Sequence, residues 1–205
     1  MFNINQITRK NIRELIPYSS ARDEFQGTAN IYLDANENPY DTDLNRYPDP
    51  YQRKLKVALA KLKNIDKSLV FIGNGSDEII DLLFRAFCEP QEDKVFIFPP
   101  TYGMYEVSAK INNVEVVKLP LNKDFQLPSF ETIEREIKSS GLLFICSPNN
   151  PTGNSFPLEE VKKIADSFYG LVVLDEAYID FSKKESGLSL LANTPNLVVL
   201  QTMSK

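Results

Sequence analysis

Leu171-Val-Val-Leu-Asp-Glu-Ala-Tyr178 is the stretch that decides the fold. Four apolar residues in a row, two of them β-branched, describe a strand covered on both faces, as in a parallel sheet. The run breaks abruptly at Asp175 and Glu176. In an open α/β sheet, ligands bind beyond the carboxyl ends of the strands, which is where Asp175 falls. Taken alone, a carboxylate after a strand serves equally well as a helix cap or a loop residue. The other strand ends have to decide.

Working outward, the same alternation repeats. Upstream, residues 142–146 form a buried strand that ends in Ser147-Pro-Asn-Asn-Pro-Thr-Gly153. Residues 157–168 carry Leu158, Val161, Ile164, Ala165 and Phe168 on one helical face. Residues 95–98 and 114–119 are strands, with a helix over 104–111 between them. Pro128 and Ser129 open another helix, running to about residue 138. Residues 69–72 form a short strand, followed by the turn Gly73-Asn-Gly-Ser-Asp77 and an almost wholly apolar helix over 78–87. Downstream, residues 197–200 are a strand running into Gln201-Thr-Met-Ser-Lys205. Alternating strands and helices predict an α/β fold with a mainly parallel, doubly wound sheet.

Nearer the N-terminus, Asp49 caps a helix with Pro50 in its first turn and Leu55, Ala58, Leu59 and Leu62 on its apolar face. Its basic side (Arg53, Lys54, Lys56, Lys61, Lys63) is a solvated face. Residues 31–34 form a short strand leading into a turn rich in Asn and Asp. Residues 1–30 are an N-terminal arm with a short helix, and residues 31–205 form the main domain.

Composition narrows the chemistry. A chain of 205 residues buries roughly 70% of its unfolded surface, enough for a sizeable core. A net charge of −5 with interspersed signs gives no footing for a nucleic-acid partner. The sequence has no apolar run of membrane-spanning length and no signal-peptide core at its start, which predicts a cytoplasmic protein. Cys88 and Cys146 sit in apolar contexts and are expected to be buried free thiols. There is no histidine, which removes Ser-His-Asp and Cys-His catalysis and nearly every common zinc site. Reactivity must rest on Lys, Asp, Glu, Tyr or a cofactor, and no metal site is predicted.

The residues that follow the strands share a character: Gly75-Ser76-Asp77, Tyr102, Asn149-Asn150, Asp175 with Tyr178, and Thr202, Ser204 and Lys205. In a parallel sheet they line one edge. They supply a phosphate cradle, an aromatic ring, amide and phenol hydrogen-bonders, a carboxylate and an amine, as needed to hold pyridoxal phosphate. That cofactor withdraws electrons well while its pyridine nitrogen is protonated, so it needs a fixed carboxylate; the candidate is Asp175. A lysine with a reference pKa of about 10.4 must lose its proton to bond covalently to the cofactor; the candidate is Lys205. Tyr102 can stack on the ring. The Gly75 turn by itself is equally a tight turn with a Ser or Asp cap, since it has neither Gly-Lys-Ser/Thr nor the Gly-x-Gly-x-x-Gly spacing.

Several stretches, in order, resemble the motifs of the fold-type I aminotransferases: Gly73-Asn-Gly-Ser-Asp-Glu78, Pro99-Pro-Thr-Tyr-Gly-Met-Tyr105, Ser147-Pro-Asn-Asn-Pro-Thr-Gly153, Asp175-Glu-Ala-Tyr178 and Thr202-Met-Ser-Lys205. Leu33-Asp-Ala-Asn-Glu-Asn-Pro39 and Leu44-Asn-Arg-Tyr-Pro48 are similar to those of the histidinol-phosphate aminotransferase branch. This resemblance covers roughly residues 9–205. It implies amino-group transfer between L-histidinol phosphate and 2-oxoglutarate, in histidine biosynthesis, through pyridoxal phosphate. By the same resemblance, Lys205 bonds the cofactor, Asp175 partners the pyridine nitrogen, Asn150 and Tyr178 bond the ring hydroxyl, and Tyr102 stacks. Gly75, Ser76 and Asp77, with the Thr202 and Ser204 hydroxyls, would cradle the phosphate. Tyr47 would reach the phosphate in a neighbouring subunit, implying a homodimer, and Tyr18 and Asn36 would lie near the substrate. In the family, further sequence follows the lysine: the rest of the large domain and a small domain whose arginines grip the substrate.

Three rival readings accompany this one. An apolar strand ending in Asp-Glu also fits a P-loop ATPase, but no Gly-Lys-Ser/Thr lies upstream. Aromatic aminotransferases and phosphothreonine decarboxylases share most of the motifs. A chain ending at Lys205 would also suit a non-catalytic binding fragment.

Overall fold

The computed structural model describes residues 2–25, 27 and 29–205. Its contacts group the chain into two compact units, one of residues 1–13 and 73–205 and the other of residues 14–72. The 30/31 division read from the sequence falls inside the second of these.

In the larger unit, five strands form one sheet: β1 (Lys94–Ile97), β2 (Glu115–Lys118), β3 (Gly141–Cys146), β4 (Leu171–Asp175) and β5 (Leu197–Leu200). Their order is β2-β1-β3-β4-β5, and every pairing is parallel. Successive side chains on a strand point to opposite faces, and this sorts the core into two layers. Val95, Ile97, Leu142, Phe144, Leu171 and Val173 pack against Ile80, Leu83 and Phe84 of α5 (Ser76–Phe87) and Tyr105 and Ala109 of α6 (Met104–Ile111). Phe96, Leu143, Ile145, Val172 and Leu174 pack on the other side. There they meet Ile133 of α7 (Phe130–Glu136) and Val161, Ile164 and Ala165 of α8 (Leu158–Ser167). β3 and β4 are buried along their whole length, as their unbroken apolar runs predict. The expected parallel, doubly wound architecture is borne out.

The helices follow their sequence signals. The Ser129 side chain accepts from the Thr132 N–H and starts α7. α5 begins two residues earlier than its apolar run, because Gly75 takes φ +83° at the N-cap position, a conformation open to glycine at no steric cost. The arm contributes two single-turn helices to this unit, α1 (Ile4–Ile7) and α2 (Lys10–Arg13). Ile7 joins the α5/α6 layer, and Arg9 bonds Glu89 and the Arg85 carbonyl.

The second unit holds α3 (Ala21–Glu24) and α4 (Arg53–Lys63). α4 starts at Arg53, a turn later than the sequence signals. Asp49 still anchors it, since its Oδ2 accepts from the Arg53 N–H at 2.9 Å, but Gln52 intervenes in the left-handed region. The strands expected at residues 31–34 and 69–72 do not form. Leu33 is 91% and Phe71 69% exposed, so these apolar runs have neither a covering layer nor a ladder partner. Residues 67–69 instead make a 3₁₀ turn capped by Asp66. Charge organises this unit. The Glu37 carboxylate accepts from Arg22, Arg46 and the Tyr47 backbone N–H. Arg22 also holds Asp34 with two bonds and lies over the Tyr32 ring.

Phe144 is the hub of the α5/α6 layer, with its ring 5.8 Å from that of Phe84 and 4.5 Å from that of Tyr105. Phe144→Ala should destabilise the protein by about 3–5 kcal/mol, the cost of a buried aromatic and its cavity. Phe144→Leu should cost clearly less. Urea midpoints of the two variants check the order.

Candidate active site

The carboxyl ends of β1, β3, β4 and β5 converge on one edge, and the strand-end residues gather there. Asp175 is the last residue of β4 and is 2% exposed. Its place in the strand's alternation turns it to the α5/α6 side. There its Oδ2 accepts from the Tyr105 hydroxyl at 2.6 Å, and its Oδ1 from the Ala177 N–H at 3.0 Å. Burial pushes the Asp175 carboxyl above its ordinary value. The Tyr105 and Ala177 hydrogen bonds and the charge of Lys205 pull it back, while Asp77 adds to the rise. The donors to this carboxylate are neutral, so it stays a net negative charge when ionised.

The structure adds Tyr105, to which the sequence gives no part within Pro99-Pro-Thr-Tyr-Gly-Met-Tyr105. In α6 it is fully buried, stacked on Phe144 and edge-on to Tyr102 at 5.6 Å. Burial raises its phenol pKa strongly, with Asp175 contributing, so the hydroxyl keeps its proton and donates. The available signal was proximity alone, since Tyr102 stands just before α6 and Tyr105 lies in its first turn.

Tyr102 itself is half-buried, and its hydroxyl bonds both oxygens of Asp77. Burial first, and then Asp77, push its pKa up to about 12. Two acids stand in the first turn of α5, Asp77 and Glu78, where an anion site would not want free negative charge. Both are engaged: Asp77 by Tyr102, and Glu78 by the backbone and side chain of Asn74. A Cβ built on Gly75 would meet nothing within 4 Å, so open space lies before the N–H groups that start this 12-residue helix. That is room and polarity for a phosphate.

Across the edge, Asn150 and Tyr178 line a cavity of about 650 Å³ together with Pro148, Phe181, Lys183 and Lys184. Asn149 is the structural member of its pair. It is buried and bonded to the Pro100 carbonyl and to Thr101 and Thr152, so it ties the β1 and β3 loops together. Lys205 is exposed, with its Nζ 5.3 Å from the centre of the Tyr178 ring. The Thr202 hydroxyl bonds the Ser204 hydroxyl and accepts from the Ser204 N–H. Tyr102, Asn150, Asp175, Tyr178, Thr202, Ser204 and Lys205 thus lie at the ends of the larger unit's strands or in the loops after them, while Gly75, Ser76 and Asp77 belong to the same unit at the start of α5, with no strand before them. Tyr18, Asn36 and Tyr47 belong to the second unit, where all three are exposed and Glu37 holds the Tyr47 backbone. The expected free thiols are present as such, and burial raises both of them, Cys146 to about 11.

The profile of the family described as aminotransferase class I and II matches residues 27–205. The histidinol-phosphate aminotransferase of Flavobacterium johnsoniae is 56% identical over all of this chain, which spans 59% of that relative's length. The crystal structure of the enzyme of that name from Clostridium acetobutylicum is 27% identical, with a TM-score of 0.69, over 80% of this chain and 48% of the other. The Sinorhizobium meliloti histidinol-phosphate aminotransferase, solved in complex with pyridoxal-5'-phosphate, is 24% identical with a TM-score of 0.68 over 80% of this chain and 45% of the other. A parallel sheet with polar strand ends on one edge, matched along nearly its whole length, makes this chain a member of the aminotransferase class I and II family.

Proposed function

We propose that this chain carries the cofactor-binding part of a pyridoxal-phosphate-dependent aminotransferase that moves an amino group between L-histidinol phosphate and 2-oxoglutarate. The observation that carries the reading is Asp175, a buried carboxylate with neutral donors, set on the strand edge near Lys205 and the open Gly75 turn. The 56% identity to the Flavobacterium johnsoniae enzyme and the pyridoxal phosphate in the Sinorhizobium meliloti structure support it. The cofactor would supply an electron sink for the bond being broken at the amino-bearing carbon.

The chain's own residues do the rest. An ionised Asp175 would hold the proton on the pyridine nitrogen, an attraction of about 4 kcal/mol at an effective dielectric of about 20. Tyr102, tethered through its hydroxyl to Asp77, offers a ring face whose position is fixed. Asn150 and Tyr178 donate to the ring oxygen, and the first turn of α5 with Thr202 and Ser204 binds the phosphate. Lys205 supplies the amine for the covalent link. The match at Leu44-Asn-Arg-Tyr-Pro48 supports a homodimer in which Tyr47 reaches the partner's phosphate, with Tyr18 and Asn36 near the substrate. Among the described residues no helix is long and apolar enough to cross a membrane, which is consistent with a cytoplasmic enzyme.

The complete protein with cofactor should absorb in the visible and lose that band on borohydride reduction, with the label on Lys205. It should convert L-histidinol phosphate and 2-oxoglutarate to a keto product and glutamate. Release of CO₂ from phosphothreonine would favour the decarboxylase reading instead, and a label on another lysine would overturn the assignment of Lys205.

Asp175→Asn should keep the fold, since an amide can still accept from Tyr105. It should lose most of the rate, because each unit of lost pKa matching at the pyridine nitrogen is worth about 1.4 kcal/mol. Near-wild-type turnover with cofactor bound would assign the proton partner elsewhere.

Tyr105→Phe tests how Asp175 is kept ionised. Burial already holds its folded pKa above the ordinary 3.8. The stability associated with this group is therefore fully present below that ordinary value and lost as pH rises through the folded pKa. Removing the donor raises the folded pKa further, so the variant loses more. The gap between wild type and variant should widen with pH, reaching about 1–3 kcal/mol at the upper end. Urea unfolding of the cofactor-free protein at ~pH 5 and ~pH 8 reads it. A gap that narrows would contradict the role of Tyr105.

A further inference from the structure

Glu176 is left without a part by the proposed chemistry, yet it is as deeply buried as Asp175, at 2% exposure. Being the next residue, it turns to the opposite face of the sheet. Three donors converge on its carboxylate there. Oε2 accepts from the Ser186 hydroxyl at 2.6 Å and from Gln201 Nε2 at 2.9 Å, and Oε1 accepts from the Gly187 N–H at 2.7 Å. Its backbone N–H bonds the Leu200 carbonyl at 2.8 Å. Gln201 Nε2 also bonds Ser186 Oγ, closing the cluster. Gly187 fits because it has no side chain: a Cβ there would come within 2.3 Å of Leu174 Cδ2 and 3.5 Å of Glu176 Oε1.

This cluster sits at the root of the segment that carries Lys205. After β5 the chain has no regular structure, and among the described residues Thr202 and Ser204 hydrogen-bond only each other. Among the described residues, the hydrogen bonds that residues 201–205 make to the rest of the protein run from Gln201 into the Glu176 cluster. A buried carboxylate is a costly tether, because its lost hydration has to be offset by hydrogen bonds. An apolar residue could fill the same space, but it could not fix the orientation of the Gln201 amide.

We propose that Glu176 is a positioning residue for Lys205: from the back of the sheet it grips Gln201 and so sets where the lysine stands relative to Asp175 on the front. This rests on the cofactor reading above, and the test separates the two. The complete protein with cofactor is compared with Gln201→Ala, Glu176→Gln and the exchange Glu176→Gln/Gln201→Glu. In Glu176→Gln an amide NH₂ faces the Gln201 NH₂. In the exchange an amide again faces a carboxylate, the Gly187 N–H keeps an oxygen acceptor, and the Ser186 hydroxyl can reverse.

Gln201→Ala leaves Glu176 its other two donors, so it is the variant expected to fold without difficulty. It and Glu176→Gln should release cofactor about tenfold faster, the effect of one charge-assisted hydrogen bond. Both should also shift the pH midpoint of the visible band, and the exchange should recover most of the loss. Loss of thermal stability with release rate and pH midpoint unchanged would make the cluster a scaffold only and overturn the proposal. So would an exchange variant no better than Glu176→Gln. A wild-type protein without a visible band would sink the cofactor reading and this inference with it. A wild-type band that the variants leave unmoved would sink this inference alone.

Discussion

Two carboxylates stand side by side at the end of β4, each almost completely removed from water and, among the described residues, neither paired with a buried cation. Stripping an ionised carboxylate of water costs several kcal/mol, and hydrogen bonds must offset that cost. Each carboxylate has its own set. Tyr105 and the Ala177 N–H serve Asp175 on one face, while Ser186, Gly187 and Gln201 serve Glu176 on the other. The donors come from α6, from the loop after β4, from the 3₁₀ segment Gly187–Asn193 and from the end of β5. One dipeptide therefore locks four elements together, and the strand edge keeps its shape only if all four arrive.

The aromatic packing behind Asp175 serves the same constraint. Phe84, Phe144 and Tyr105 stack through the α5/α6 layer, and Tyr102 meets Tyr105 edge-on at its outer end. The stack holds the Tyr105 hydroxyl 2.6 Å from Asp175, and the Tyr102 ring rests edge-on against it at 85°. Core stability and site geometry here are one feature. A cavity at Phe144 should be felt at Asp175, because the ring that donates the hydrogen bond rests on it.

Where burial on both faces writes itself into the sequence as an unbroken apolar run, the sequence was easy to read. β3 and β4 lie where Leu142 and Leu171 announce them, the half-buried edge strand β5 starts at Leu197 as its apolar run predicts, and α6 has the limits its pattern predicts. The strand-end residues of the candidate site were legible for the same reason, since parallel order sends every strand's end to one edge. Residues 31–34 and 69–72 misled because an apolar run does not reveal whether a ladder partner exists. Tyr105 and Glu176 were missed for another reason: their part depends on a partner about 70 residues away for one and 25 for the other. Alternation on β4 could have told that Asp175 and Glu176 face opposite layers, but not which hydroxyl or amide waits in each.

Among the described residues the bonded partners of Asp175 include no cation, and this carries a consequence for the chemistry. Had an arginine or lysine been built in beside it, the carboxylate would be stable but its charge already neutralised, leaving little to hold a proton on a pyridine nitrogen. Neutral donors stabilise the ionised form while leaving the net charge available. The cation whose charge does reach Asp175 is Lys205. In the proposed role its amine has to shed that charge before it can form its covalent link. The cofactor would bring to this edge a pyridine nitrogen able to take up a proton. A buried acid with a tyrosine at one oxygen and a backbone N–H at the other would hold that proton with its own charge still available.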